Sequence, residues 1–157
     1  MDDEHYMKLA IAQALQSQAA GGAPIGAVMV KEDKVIATGQ SLVGPKMDPS
    51  AHGETECIRA ACKALSTLDL SDCTLYTTLE SCSMCLGCAA WAGVSRIVFG
   101  AYQEDVAGNA YELKDYSAEP HAQRLRTPTG GKVEVTGGVL RDECKALMAN
   151  YKNWMPV

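Results

Sequence analysis

A chain of 157 residues has the length of one domain, expected to run over 1–157, and is long enough to bury a sizeable core. With 47% hydrophobic and 21% charged residues it has the balance of an ordinary globular protein, and no apolar run approaches the roughly 18 residues of a membrane span. Acids outnumber bases 19 to 14, a net charge of −5 that argues against a polyanion as the main partner.

The seven cysteines admit two readings. A disulfide framework belongs to exported domains, but the count is odd, Cys82, Cys85 and Cys88 are clustered, and Met1-Asp2-Asp3-Glu4 is acidic where a secretory signal is basic. Reduced thiols and a cytoplasmic location are expected.

In chain order, apolar residues at Met7, Ile11, Ala14 and Leu15 predict a helix over His5 to Ala19, stopped by Gly21-Gly22. Ile25 to Val30 and Val35 to Thr38 predict a hairpin about Glu32-Asp33. Gly44 to Pro49 reads as a loop, and Ala51 to Leu65 as a helix with Glu54 and Glu56 near its positive end. Cys73 to Leu79 reads as a strand, 82–92 as a helix and Arg96 to Phe99 as a buried strand. From Ala101 to Gly131 the chain is polar and without a clear period, the pattern of a functional loop. Val133 to Thr136 reads as a short strand and Asp142 to Trp154 as a closing helix with Leu147 and Met148 inside. Alternating strands and helices predict an α/β fold, a central sheet covered by helices.

Two fragments carry chemistry: His52-Gly53-Glu54 and, about thirty residues later, Cys82-Ser83-Met84-Cys85. Zinc takes imidazole and thiolate ligands, and a catalytic zinc site uses three protein ligands and leaves the fourth position to water. His52, Cys82 and Cys85 make three, which leaves Glu54 to move protons. Both fragments fall where a helix begins, and there the free N–H groups and the dipole favour thiolates. Mid-helix, His52 and Glu54 at i and i+2 do not share a face, so the reading requires them in a first turn. Cys88 continues the i, i+3 series; a Cys3His site would close the metal's coordination and make it structural. It is expected in the core, because one more turn carries it about 4.5 Å along the axis.

The pattern H-x-E followed by P-C-x-x-C marks zinc nucleobase deaminases, and the chain resembles the cytidine-deaminase-like superfamily over nearly its whole length. Asp48-Pro49-Ser50-Ala51-His52 resembles the zinc-site entry of bacterial guanine deaminases and tRNA adenosine deaminases. Leu75-Tyr76-Thr77-Thr78-Leu79 and the His-Gly-Glu form are similar to fungal cytosine deaminase. Cys85-Leu86-Gly87 and Ala90-Trp91-Ala92 are similar to guanine deaminase. Val98-Phe99-Gly100-Ala101, Gly137-Gly138-Val139-Leu140 and Asp142-Glu143-Cys144 are similar to tRNA adenosine deaminase. The resemblance implies a three-layer α/β/α sandwich with a five-stranded mixed sheet, a zinc-activated water and a homodimer. The family's proline before the first zinc cysteine is Ser81 here. The asparagine that contacts the base, seven residues before the Asp-Pro pair, is Ser41, which lacks an amide's paired donor and acceptor.

Three functions follow. The first is hydrolytic deamination of a free nucleobase or similar small amino-heterocycle, of guanine, cytosine or triazine type. The second is tRNA adenosine editing, and the third a non-catalytic structural zinc protein in which Glu54 has no task. Net acidity, Ser41 and an aromatic C-terminus favour the first. Trp91, Tyr111 and Trp154 are candidate walls for the heterocycle, and Ser41 a candidate polar contact.

Overall fold

The structure is a computed structural model and describes residues 2–106, 115–149 and 151–152. Helix α1 spans Asp3–Ala19; the Asp2 side chain accepts from the His5 N–H, and Asp3 and Glu4 fill its first turn. Strands β1 (Gly26–Lys31) and β2 (Lys34–Gln40) form the predicted hairpin. Glu32 and Asp33 both take positive φ, as a two-residue turn matching strand twist requires. Next come α2 (Val43–Lys46), α3 (Gly53–Leu65), β3 (Cys73–Leu79), α4 (Ser83–Trp91) and β4 (Arg96–Ala101). A 3-10 turn at Gln103–Asp105, α5 (Ala118–Ala122), β5 (Glu134–Thr136) and α6 (Arg141–Ala149) complete the order.

The five strands form one mixed sheet in the order β2-β1-β3-β4-β5. β1 pairs antiparallel with β2 and β3, while β3–β4 and β4–β5 are parallel. The strand period of two divides the core. Ala27, Met29, Leu75 and Ile97 share a core with α3, α4 and α5 through Cys57, Ile58, Ala61, Leu86, Ala89 and Ala118. Val28, Val30, Tyr76 and Val98 face α1 and α6 through Tyr6, Met7, Cys144 and Met148. This is the expected three-layer sandwich. Every residue of β3 is buried, as expected of a strand covered on both faces.

Two contacts place the helices. A Cβ on Gly39 would fall on the Gly53 carbonyl and within 2.6 Å of the Cys57 nitrogen, so the start of α3 lies directly against β2. At the other side of the sheet, the Asp3 carboxylate accepts two hydrogen bonds from Arg96, both 2.9 Å, and one from the Tyr76 hydroxyl at 2.8 Å. That bidentate pair ties the start of α1 to β3 and β4.

The structure departs from the sequence reading at two single turns. α2 lies in the predicted loop and α5 inside the polar stretch. Each holds a proline, Pro45 or Pro120, at its third residue, where the missing N–H has no partner within the helix anyway. β4 runs on to Ala101, and among the described residues α6 ends at Ala149. No helix of the described residues is long and apolar enough to cross a membrane.

Candidate active site and metal centre

The two motif fragments fold by the same local device. His52 is the residue before α3, with φ −71° and ψ 162°, and Cys82 is the residue before α4, with φ −68° and ψ 170°. Each carbonyl opens its helix, accepting from Glu56 N–H and Leu86 N–H at 2.9 Å, while neither side chain caps it. The extended backbone turns both side chains away from their helices and toward each other. This resolves the i, i+2 problem: His52 stands outside the helix and Glu54 in its first turn.

The approach to His52 is braced. Asp48 accepts from the Ser50 hydroxyl (2.7 Å) and N–H (2.8 Å), and those bonds hold its carboxyl below the usual range against a smaller opposing effect of burial. Thr55 Oγ1 donates to the Ser50 and His52 carbonyls. Leu42 N–H donates to the Ala51 carbonyl at 2.9 Å, so the end of β2 lies beside the motif. Ser41, buried, therefore stands at the margin of the site.

His52 Nδ1 is 3.6 Å from Cys82 Sγ and 3.4 Å from Cys85 Sγ, and the three potential ligand atoms lie within 4.8 Å of one another. An imidazole nitrogen and a thiolate sulfur on one tetrahedral zinc, at about 2.05 and 2.3 Å, stand about 3.6 Å apart. The donor set and its spacing both fit zinc. Among the described residues no other group of three such side chains gathers this closely. Cys88, half-buried one turn on, packs against the core and lies outside the group.

Electrostatics follow from burial and the shared donors. Cys85 donates to the Cys82 sulfur, which with help from His52 brings the Cys82 thiol down to about 4. The same hydrogen bond and deep burial hold the Cys85 thiol up. Glu54 is 4% exposed. Burial first, then the Cys82 charge, pushes its carboxyl up to about 7 against the opposite pull of His52 and Ser81. Such a group can both accept and release a proton near neutral pH.

Trp91 is placed differently from the sequence reading. It is 81% exposed at the far end of α4, roughly 13 Å along the axis from Cys82. There it lines a separate surface hollow of about 370 Å³ with Gly87, Arg126 and Pro128. Tyr111 and Trp154 lie outside the described residues.

Sequence reasoning missed Glu80. It is buried at the end of β3, and its carboxylate accepts from the Gln103 N–H (3.0 Å) and the Ala118 N–H (2.8 Å). Its carbonyl accepts from Gln103 Nε2 at 2.7 Å, and the Ser81 carbonyl from the Tyr116 hydroxyl at 2.7 Å. Glu80 and Ser81 thus fasten residues 103 and 116–118 to the chain entering Cys82. The available signal was a charged residue directly between an apolar strand and the cysteine pair.

The profile of the MafB19-like deaminase family matches residues 1–142. The chain belongs to that family. It is 42% identical to a guanine deaminase of Bacillus subtilis over 113 residues, 71% of this chain and 72% of the relative. It is also 36% identical to a tRNA-specific adenosine deaminase of the same organism over 149 residues, 95% of this chain and 88% of the relative. A solved guanine deaminase from Nitrosomonas europaea superposes with a TM-score of 0.78 at 29% identity, over 92% of this chain and 81% of that one. The five-stranded sheet and its helices are those of cytidine-deaminase-like deaminases, and a hydrolytic deaminase is what these relatives support.

Proposed function

We propose that the chain is a zinc-dependent deaminase of a free nucleobase or similar small amino-heterocycle, of guanine, cytosine or triazine type. The observation that carries this is the triangle of His52 Nδ1, Cys82 Sγ and Cys85 Sγ, at tetrahedral-zinc spacing, with the buried carboxyl of Glu54 beside it. Zinc held by these three side chains supplies Lewis-acid activation of water for attack on an amidine-like ring carbon. Glu54 takes the proton of the attacking water, passes it to the ring nitrogen, and delivers a proton to the departing amine. The overall change consumes one water and releases ammonia, leaving a carbonyl where the amino group stood. The converging helix starts favour the thiolates, and burial of Glu54 keeps bulk water from competing for its proton.

The choice of a small ring rests on charge. An RNA-binding face must offset phosphates, and this chain carries a net −5. A neutral heterocycle needs only stacking and a few hydrogen bonds, for which Ser41 stands at the margin of the site. The tRNA reading keeps one specific support, the 36% identity that extends over 95% of the chain. A homodimer is part of the proposal, to be checked by sedimentation.

The test is ammonia release by the zinc-loaded protein from free bases, nucleosides, pterins, aminotriazines and a tRNA anticodon stem-loop. Turnover of a free base that does not respond to salt supports the proposal. Adenosine-to-inosine conversion in the stem-loop, with free bases untouched, replaces it with tRNA editing. One zinc per chain with no turnover of any substrate favours a structural zinc protein.

A further inference from the structure

Helix α4 turns an uncharged face outward. Its sequence from Ser83 to Trp91 holds no charged residue, and Met84, Gly87, Cys88 and Trp91, at i, i+3, i+4 and i+7, form one exposed to half-exposed stripe. Trp91 stands out at one end, and the hollow of about 370 Å³ beside it is walled by Ala90, Leu125, Arg126 and Pro128. Gly87 keeps that hollow open. A Cβ built there meets nothing within 4 Å, so nothing inside the chain requires a glycine, although glycine weakens a helix interior relative to alanine. Packing within one copy of the chain therefore accounts for neither the exposed indole nor the missing side chain.

We propose that this face joins two copies of the chain about a two-fold axis beside α4, with Trp91 of each copy seated in the Gly87 hollow of the other. This gives the homodimer of the preceding reading its surface, and it rests on that part alone, not on the substrate or the reaction. Three observations select a second copy as the occupant. Knob and hollow lie one turn apart on one helix, and a two-fold contact needs both on each copy, so that i meets j and j meets i. The hollow also suits an indole. Its walls are largely aliphatic, and Arg126 Nη1 donates to the Gln123 and Leu125 carbonyls of its own loop at 3.2 and 2.8 Å, which fixes the guanidinium for contact with an aromatic face. Charge is the third. Two copies at −5 each repel, and α4 brings no carboxylate to their contact. A buried aromatic side chain removes about 150–250 Å² from water, so the two indoles alone supply about 300–500 Å². A stable interface buries roughly 1,200–2,000 Å², and Met84 extends the stripe toward the start of α4.

The test is sedimentation equilibrium of the zinc-loaded wild type, Trp91→Ala and Gly87→Gln. Leu15→Ala is the control, an exposed apolar residue on α1 across the sheet. Gly87→Gln fills the hollow without meeting its own chain, so it separates association from folding, and its circular dichroism is expected to match the wild type. The dimer Kd is expected to rise about thirtyfold or more in Trp91→Ala, as for a tryptophan at the centre of an interface. In Gly87→Gln it rises about tenfold, the effect of overpacking a filled contact, and in Leu15→Ala it stays as it was. If Trp91→Ala misfolds, Gly87→Gln decides. Wild-type Kd in both face variants overturns the proposal and puts the dimer on another surface. A wild type that remains monomeric overturns it together with the homodimer and leaves the deaminase reading standing. A monomer whose fluorescence responds to a nucleoside monophosphate, with no response in Trp91→Ala, overturns it in favour of a small ligand in the hollow. A dimer split as expected in a protein that releases no ammonia supports this surface and removes only the deaminase reading.

Discussion

Gly39→Ala is expected to damage the site without touching any residue in it. The added Cβ would meet the Cys57 nitrogen at 2.6 Å and fall on the Gly53 carbonyl, where ordinary contact begins at 3.4 Å. The Cys57 nitrogen alone, 3.4 − 2.6, requires α3 to back away from β2 by at least about 0.8 Å, and the nearer Gly53 carbonyl requires more. Both obstacles are backbone atoms, so no side-chain rotation relieves them. Overpacking of this kind destabilises by about 1–3 kcal/mol. In a chain of this size each kcal/mol lowers Tm by about 2–4 °C. The same displacement carries His52 and Glu54, at the start of α3, away from Cys82 and Cys85 on α4. Misplacement of reacting groups by about 1 Å costs about 10²-fold in rate. The assay is Tm by thermal denaturation, zinc per chain after dialysis, and initial rate of ammonia release, on Gly39→Ala beside Gly44→Ala. Position 44 has nothing within 4 Å of a built Cβ and serves as the control. Wild-type Tm, zinc and rate in Gly39→Ala would refute the idea that close packing of α3 on β2 sets the spacing between the two halves of the site.

For the ligand set, His52→Ala, Cys82→Ala and Cys85→Ala should each lose tightly held zinc in metal analysis while Cys88→Ala keeps it; zinc lost with Cys88 and retained without Cys85 would reassign the ligands. Glu54→Gln should keep zinc and fold and lose about 10²–10⁴ in kcat, since an amide carries no proton; near wild-type turnover would remove Glu54 from the mechanism. Acid stability should depend on Asp3, whose carboxyl is held low chiefly by its hydrogen bonds to Arg96 against the opposing effect of partial burial. A depressed folded value means stability that is present above the unfolded value of about 3.9 and lost as pH falls through the folded one. The urea midpoints of wild type and Asp3→Asn should therefore lie apart near neutral pH and converge between about pH 5 and pH 2, and a separation independent of pH would contradict this.

The strand Cys73–Leu79 was legible to the residue because seven β-prone side chains in a row are buried on both faces. The start of α1 was read two residues late, since the cap at Asp2 and not the apolar period sets it. The gathering of His52, Cys82 and Cys85 was legible from residue type and spacing. Their relative orientation was not, because it depends on His52 and Cys82 each taking an extended backbone just outside a helix. Trp91 was misplaced because periodicity gives the face of a helix and not which end meets the site. Glu80 escaped notice because a carboxylate at a strand end reads as solvent-facing, and the two backbone N–H groups that let it be buried come from 23 and 38 residues away.

That single carboxylate divides the labour of the chain. It grips the backbone at Gln103 and at Ala118, so the stretch between them begins and ends at one fixed point beside the cysteine pair. Loss of the Glu80 carboxylate should therefore release both anchor points at once, although they lie 23 and 38 residues from the group that holds them.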